Sequence, residues 1–121
     1  MTPSDLEQHV AEARRAWPTV DVDPAKFTEI LAAKRATEPA RISDLYIVSG
    51  VVLKLPDAAR ALEEAFAPAL KRALLSLRLD AAQVDDAVQT VWRDLLTGAA
   101  PRIAQYDGSG DLKAWLRVAA T

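Results

Sequence analysis

Cysteine is absent from the 121-residue chain, and histidine occurs once. The lack of cysteine excludes disulfides, thiolate metal sites and cysteine nucleophiles, and it is typical of proteins in a reducing cytoplasm. His9 has no second histidine or cysteine with which to form a metal site, so the simple interpretation is an ordinary surface residue. The sequence therefore predicts no metal, no cofactor and a cytoplasmic location.

Long apolar runs are also missing. The stretch from Tyr46 to Leu55 is interrupted by Ser49, Gly50 and Lys54, and it is too short to cross a membrane. The N-terminus has neither a basic start nor an apolar run behind it, so no signal peptide is visible. We expect an intracellular protein with no membrane partner.

Neither sign of charge is in large excess. The chain carries 15 basic and 17 acidic residues, for a net charge of −2, which argues against a protein that holds nucleic acid mainly through a strongly basic surface. Only the C-terminal end leans basic, with Arg102, Lys113 and Arg117 against two aspartates. Hydrophobic residues make up 50% of the chain, which is enough to bury one core.

Strand signals are missing, because no stretch alternates apolar and polar residues for long. Helical spacing covers nearly the whole chain and predicts an all-α, compact bundle of about five to six helices. Prolines, glycines and capping side chains set the expected boundaries. In chain order they are Pro18, Asp23, Pro39, Ser43, Asp57, Asp80, Gly98 and Asp111.

Two of the predicted segments have unusual features. Pro68 lies inside the fourth one, where a proline removes a hydrogen bond and crowds the preceding turn, so we expect a kink or two separate helices. The sixth helix meets no stop signal before Thr121, which favours a chain that continues in its parent protein.

The fifth helix, between Asp80 and Gly98, has the clearest two-faced pattern. Its apolar stripe consists of Val84, Val88, Val91, Trp92, Leu95 and Leu96. Its polar face consists of Asp85, Asp86, Gln89, Thr90, Arg93 and Asp94. Neighbouring carboxylates could serve acid–base catalysis, but they form a solvated helix face far more often, and we predict that the chain is not an enzyme.

A glycine-containing loop precedes the sixth helix. Two glycines between Tyr106 and Lys113 let the backbone approach a flat ligand closely, a combination found in proteins that bind single-stranded nucleic acid. A plain loop is the commoner interpretation of such a segment. The terminal glutamate of a calcium loop is missing, and no strand precedes the glycines as in a phosphate-binding loop.

Two segments in this order resemble bacterial extracytoplasmic-function sigma factors of the sigma-70 family. Residues 85–96 resemble their region 2.2 helix, and residues 106–120 resemble the aromatic-x-Gly segment that ends in Trp-Leu-x-x-apolar-Ala and includes region 2.3. Residues 44–79 are similar to the region 2.1 helices. The resemblance implies an N-terminal helical extension over residues 1–40 and a sigma region 2-like domain over residues 41–121, truncated at its C-terminal end.

The family implies a function for each motif. Its members bind core RNA polymerase through region 2.2, which assigns polymerase binding to Asp86, Gln89, Thr90 and Arg93. They take part in recognition and melting of the −10 promoter element, where the loop captures an extruded base of the melted strand. By this resemblance, the DNA-binding residues are Tyr106, Gly108, Ser109, Gly110, Lys113 and Arg117.

Two features leave an alternative open. Asp107 follows the loop aromatic, where it would repel a phosphate, and the family's region 2.4 and its helix-turn-helix domain would lie beyond Thr121. The alternative is a helical interaction module or regulator that binds polymerase or an anti-sigma protein without reading DNA.

Overall fold

The computed structural model describes residues 3–34, 39–98 and 101–120. Over these ranges the chain is helical and contains no strand, which confirms the predicted all-α bundle. The α-helices are α1 (Pro3–Ala16), α2 (Pro24–Ala33), α3 (Ile42–Val52), α4 (Ala58–Leu75), α5 (Ala81–Leu96) and α6 (Leu112–Ala120). Short 3₁₀ helices, Pro39–Arg41 and Arg102–Gln105, precede α3 and α6.

Capping side chains begin α2 and α5 where the sequence predicts. Asp23 accepts a hydrogen bond of 3.3 Å from a backbone N–H in the first turn of α2, and Pro24 occupies the first helical position. The Gln83 N–H donates to Asp80 Oδ1 at 2.8 Å, and the Asp80 N–H donates to Gln83 Oε1 at 3.0 Å. This reciprocal capping box fixes the start of α5, and Gly98, with φ of 98°, follows its end.

The predicted cap at Ser43 is wrong. α3 begins one residue earlier, and Arg41, its N-cap, makes no capping hydrogen bond through its side chain. A capping side chain needs an extended backbone at its own position, whereas Arg41 has helical angles (φ −90°, ψ −7°) because the 3₁₀ turn leads directly into α3. Asp57 is also helical and makes no side-chain cap to α4, so that predicted cap is wrong as well.

The boundaries around two prolines also differ from prediction. α4 runs through Pro68 as one helix, so the alternative of two helices is wrong. The Pro68 side chain is exposed. α2 ends at Ala33, before the predicted stop at Pro39, and Lys34 is its C-cap. Residues 35–38 and 121, on which parts of the predicted second and sixth helices fall, lie outside the described residues.

One hydrophobic core draws on all six α-helices. α3 lies at its centre, with residues 45–51 buried without interruption. α1 packs along α3, while α4 packs against α3, α5 and α6. Side chains from both sides of residue 40 share this core, and the division into 1–40 and 41–121 stays a prediction. Within the described ranges, no helix combines the length and the apolar character that a membrane crossing requires.

Candidate functional site

α5 presents all four predicted polymerase-binding residues to solvent. Asp86, Gln89, Thr90 and Arg93 are exposed and form a continuous surface, which we call the α5 ridge. The opposite face of the helix enters the core through Val84, Trp92 and Leu95. Because the buried face anchors the helix, the ridge is held on a rigid element.

The polar groups of the α5 ridge differ in whether hydrogen bonds or salt bridges within the chain already engage them. The Thr90 hydroxyl donates to the backbone carbonyl of Asp86 at 3.0 Å, so its hydrogen is used within the helix. The salt bridges within the described part of the chain do not include Asp86 or Arg93. Gln89 and Arg93 are therefore the ridge donors best placed to reach a partner.

A groove between α4 and α5 adjoins the ridge and was not predicted from the sequence. Its volume is about 450 Å³, and its lining combines Asp86 and Gln89 with Ala67, Pro68 and Val88. Lys71 and Asp85 form an exposed salt bridge of 3.6 Å beside it. The groove gives the polar ridge an apolar neighbour, as interface centres commonly have.

Tyr106 is a core residue in this structure, with 1% of its surface exposed. Its ring packs edge-on against the half-buried Trp115, with centroids 6.0 Å apart, and its hydroxyl donates to the carbonyl of Gly110. Burial and the nearby Asp44 carboxylate raise the pKa of Tyr106, so the phenol stays neutral. The sequence suggested an aromatic face beside the loop, but this ring is not available for stacking on a base.

Asp44, on α3, binds the C-terminal end of the loop, where α6 begins. Its Oδ2 accepts a hydrogen bond from the Leu112 N–H at 3.2 Å and one from Arg41 Nη1 at 3.2 Å, and it lies 3.5 Å from the Tyr106 hydroxyl. Burial raises the pKa of Asp44, while the Leu112 N–H and the Arg41 charge oppose that rise. Sequence reasoning gave Asp44 no role, because its partners are as far as 68 residues away.

Lys34 binds the N-terminal end of the same loop. Its Nζ donates to the carbonyls of Ala104 at 2.8 Å and Tyr106 at 2.6 Å. Burial lowers the pKa of Lys34, and the charge of Asp107 opposes the change. Lys34, at the end of α2, and Asp44, on α3, thus position the loop from two places in the bundle, and no local sequence signal could have revealed either contact.

The exposed tip of the loop carries negative charge. Asp107 Oδ1 accepts a hydrogen bond from the Ser109 N–H at 2.9 Å, and the hydrogen bonds from Ser109 lower the pKa of Asp107. That N–H is consequently engaged rather than free for a phosphate. Ser109 and Gly110 are exposed, whereas Gly108 is half-buried.

α6 carries the remaining predicted DNA-binding residues. Asp111 Oδ1 accepts a hydrogen bond from the Lys113 N–H at 2.7 Å and caps the helix at its predicted start. Lys113 and Arg117 are exposed and four residues apart, so they lie on one face of the helix. The structure therefore separates the predicted DNA residues into a buried aromatic, an acidic loop tip and a basic helix face.

Gly108 is expected to be the least replaceable glycine of the loop. It has φ of 79°, and a Cβ there would lie 2.9 Å from Leu45 Cδ1 in the core. Gly108→Ala should lower the free energy of unfolding by about 2 kcal/mol, from left-handed strain plus overpacking. Urea unfolding followed by circular dichroism measures this loss.

Two other glycines serve as matched controls for that variant. Gly98 also has positive φ, but a Cβ there meets nothing within 4 Å, so Gly98→Ala should show the backbone strain alone, about 1 kcal/mol. Gly110 has neither constraint, and Gly110→Ala should change stability by less than about 0.5 kcal/mol. Equal losses at Gly108 and Gly110 would contradict the packing argument.

Among the described residues, no group of three histidine, aspartate or glutamate side chains could hold a metal ion. His9 is half-buried, with Nδ1 3.7 Å from a Glu12 carboxylate oxygen.

Comparisons with protein-family models, with curated proteins and with solved structures give no match to this chain.

Proposed function

We propose that this chain binds core RNA polymerase through the α5 ridge and takes part in recognition and melting of the −10 promoter element during transcription initiation. The observation that carries the proposal is the exposure of Asp86, Gln89, Thr90 and Arg93 on a helix whose other face is anchored in the core. These are the positions to which the sigma-factor resemblance assigns the polymerase contact. The proposal implies a cytoplasmic location and includes no catalytic step.

The physical case for the ridge as a binding surface rests on its stiffness and on its free donors. A partner that docks against α5 would not have to order a mobile segment, which lowers the entropic cost of association. Arg93 adds a charged donor, and arginine is enriched among residues that dominate binding energies. The neighbouring groove beside Pro68 supplies apolar contact.

Gln89→Ala and Arg93→Ala are expected to weaken binding to core RNA polymerase by about 1–3 kcal/mol each, which corresponds to roughly 5- to 150-fold in the dissociation constant. Both side chains are exposed, so the fold should not change. Binding of the labelled chain to purified core enzyme, followed by fluorescence anisotropy, measures the effect.

α1 offers matched controls for these variants. Gln8 and Arg15 are the same residue types at exposed helical positions, so Gln8→Ala and Arg15→Ala should bind polymerase as the wild type does. Unchanged affinity in both ridge variants would refute the assignment of the ridge, and equal losses in the α1 variants would show that the measurement reports charge or helix content instead.

A second candidate is favoured by the burial of Tyr106 and by the exposed Asp107 carboxylate at the loop tip. In this version the chain is an interaction module that binds polymerase or an anti-sigma protein and does not read promoter DNA. The two candidates differ in whether the polymerase-bound chain gains affinity for a single-stranded −10 oligonucleotide over a scrambled one.

A further inference from the structure

A second groove lies between α1 and α2, two helices that carry none of the α5 ridge. Its volume is about 580 Å³, and its lining is mainly apolar, with Leu6, Val10 and Ala11 from α1 and Pro24 and Ala25 from α2. Leu6 and Val10 are half-buried, whereas the other three are exposed. Exposed apolar surface of this kind marks a place where a partner can dock.

The polar side chains that line this groove narrow down the partner. Arg14 donates to the Val22 carbonyl at 3.1 Å and forms a 3.1 Å salt bridge with Asp21. The Thr28 hydroxyl donates to a backbone carbonyl of its own helix at 2.8 Å. Glu7, by contrast, is exposed and takes part in none of the salt bridges among the described residues. A partner complementary to the groove would therefore place a cation opposite Glu7.

α1 itself carries a cation in the matching position. Arg15 is exposed and, like Glu7, is absent from the salt bridges of the described ranges. It follows Glu7 by two steps of four residues, which is about 12 Å along the helix axis, and Ala11 lies halfway between them. Positions four apart form one ridge on a helix surface. Glu7, Ala11 and Arg15 thus make a ridge with opposite charges at its ends and a methyl group at its centre.

This ridge is complementary to itself. A two-fold rotation about an axis through Ala11, perpendicular to α1, makes two α1 helices antiparallel and brings Glu7 of each copy opposite Arg15 of the other. Ridges of positions four apart interdigitate in the commonest class of helix packing, and the small side chain of Ala11 lets the two backbones come close at the axis. Two reciprocal salt bridges then border the apolar contact between the copies.

We infer that the α1–α2 groove is the docking site for a second copy of this chain, in an antiparallel two-fold dimer that the reciprocal Glu7–Arg15 pairs align. The inference does not depend on the proposed polymerase contact, because α5 takes no part in it. One helix and one groove from each copy form an interface at the small end of the usual range, so we expect self-association at micromolar concentrations and above. The labelled chain in an anisotropy titration is far more dilute, and Arg15→Ala therefore stays a valid control for polymerase binding.

The test is the molar mass of the 121-residue chain, measured by sedimentation equilibrium from low micromolar to near-millimolar concentrations. The mass of the wild type should rise from 13.1 kDa toward twice that value. Glu7→Arg and Arg15→Glu each turn both attractive pairs of the dimer into repulsive ones, so each should weaken self-association by about tenfold or more. Both positions are exposed, and circular dichroism should show an unchanged fold.

An equal mixture of these two variants gives the sharpest measurement. Pairing one copy of each restores both attractive contacts, so the mixture should dimerise about as well as the wild type although neither variant does so alone. The double variant, Glu7→Arg with Arg15→Glu, keeps the net charge of −2 and should also dimerise. Added salt should weaken self-association of the wild type and strengthen that of the two single variants, because it screens attraction in the first case and repulsion in the second.

Glu12 provides the matched control on the same helix. It is exposed on α1 but lies outside the ridge of Glu7, Ala11 and Arg15. Glu12→Arg makes the same change in charge as Glu7→Arg and should self-associate as the wild type does.

Several results would overturn the inference. A wild type that keeps the monomer mass at every concentration would leave the groove to a different partner, and undiminished dimers of both single variants would place the interface elsewhere on the surface. A mixture that does not recover would exclude the antiparallel arrangement. Equal losses in Glu12→Arg and Glu7→Arg would show a general effect of charge. Each of these results leaves the polymerase proposal in place.

Discussion

Replacing Phe27 by alanine is expected to lower the free energy of unfolding by about 4 kcal/mol, the largest effect among the variants considered. Phe27 lies on α2 with 0% of its surface exposed, and its ring meets Tyr46 edge-on with centroids 5.3 Å apart. Truncation would remove the ring and leave a cavity beneath α3 that the surrounding helices can fill only in part.

The same variant tests whether residues 1–40 unfold separately. The Tyr46 hydroxyl donates to the Val20 carbonyl at 2.6 Å and accepts a hydrogen bond from the Val22 N–H at 3.1 Å, so α3 is bonded to the segment that precedes α2. We therefore expect the loss at Phe27 to appear in the whole chain and not only in its first helices.

Tryptophans in different parts of the chain make that measurement possible. Trp17 reports on the N-terminal segment and Trp92 on α5, so two variants that each keep only one of the three tryptophans can be unfolded in urea side by side. The Phe27→Ala change should shift both transitions together. Glu29→Ala, an exposed change on the same helix, should alter stability by less than about 0.5 kcal/mol. A shift confined to the Trp17 signal would show that the N-terminal segment unfolds independently.

Asp44→Ala is expected to lower the free energy of unfolding by about 3 kcal/mol, because it leaves partly buried partners without their acceptor. The Leu112 N–H and the Arg41 guanidinium both donate to this carboxylate. Arg41 also has a buried Nε without a hydrogen-bond partner among the described residues, so it has little means of compensating. Urea unfolding measures the global loss, and hydrogen exchange at the Leu112 amide measures the local one.

Asp44→Asn separates the charge of this residue from its hydrogen bonds. The amide oxygen can still accept from the Leu112 N–H, so this variant should lose less stability than Asp44→Ala. Asp86→Ala, which removes an exposed carboxylate from α5, should change stability by less than about 0.5 kcal/mol. Equal losses in the alanine and asparagine variants at position 44 would contradict the role given to the acceptor.

The pH dependence of stability offers a further check on Asp44. Burial raises its pKa in the folded state, so the unfolded chain loses this proton at a lower pH than the folded chain does. The contribution of Asp44 to stability should therefore fall as the pH rises from the ordinary aspartate range through the raised pKa. Asp44→Asn should lack that part of the pH dependence.

Features of the fold that depend on neighbouring residues could be predicted from the sequence. The capping box at Asp80 and Gln83 and the proline at the start of α2 are local patterns, and the structure contains both. The cap at Ser43 failed because the conformation of Arg41 is set by the turn before it, and that turn is not visible in the pattern of polar residues. α4 continues through Pro68 although a proline removes one backbone hydrogen bond, because most helical stability comes from tertiary packing and α4 packs against α3, α5 and α6.

Some features of the candidate site could likewise be predicted from the sequence, and others could not. The α5 ridge follows from helical periodicity, which places four polar residues opposite a buried stripe. The burial of Tyr106 does not follow from its neighbours alone, because Asp44 and Lys34, which also contact it, lie more than 60 positions earlier in the chain. The proximity of Arg72 to Lys113 and Arg117 does not follow from the sequence either, since only the packing of α4 against α6 brings these residues to one groove.

The two residues that hold the loop also constrain the order in which the protein can assemble during synthesis. A chain made from its N-terminus can begin to pack α1, α2 and α3 before the rest is translated. Lys34 reaches carbonyls 70 and 72 residues ahead of it, and Asp44 reaches an amide 68 residues ahead. Both contacts can form only after residues 104–112 have been synthesised, so the loop acquires its shape later than α1, α2 and α3 can begin to pack.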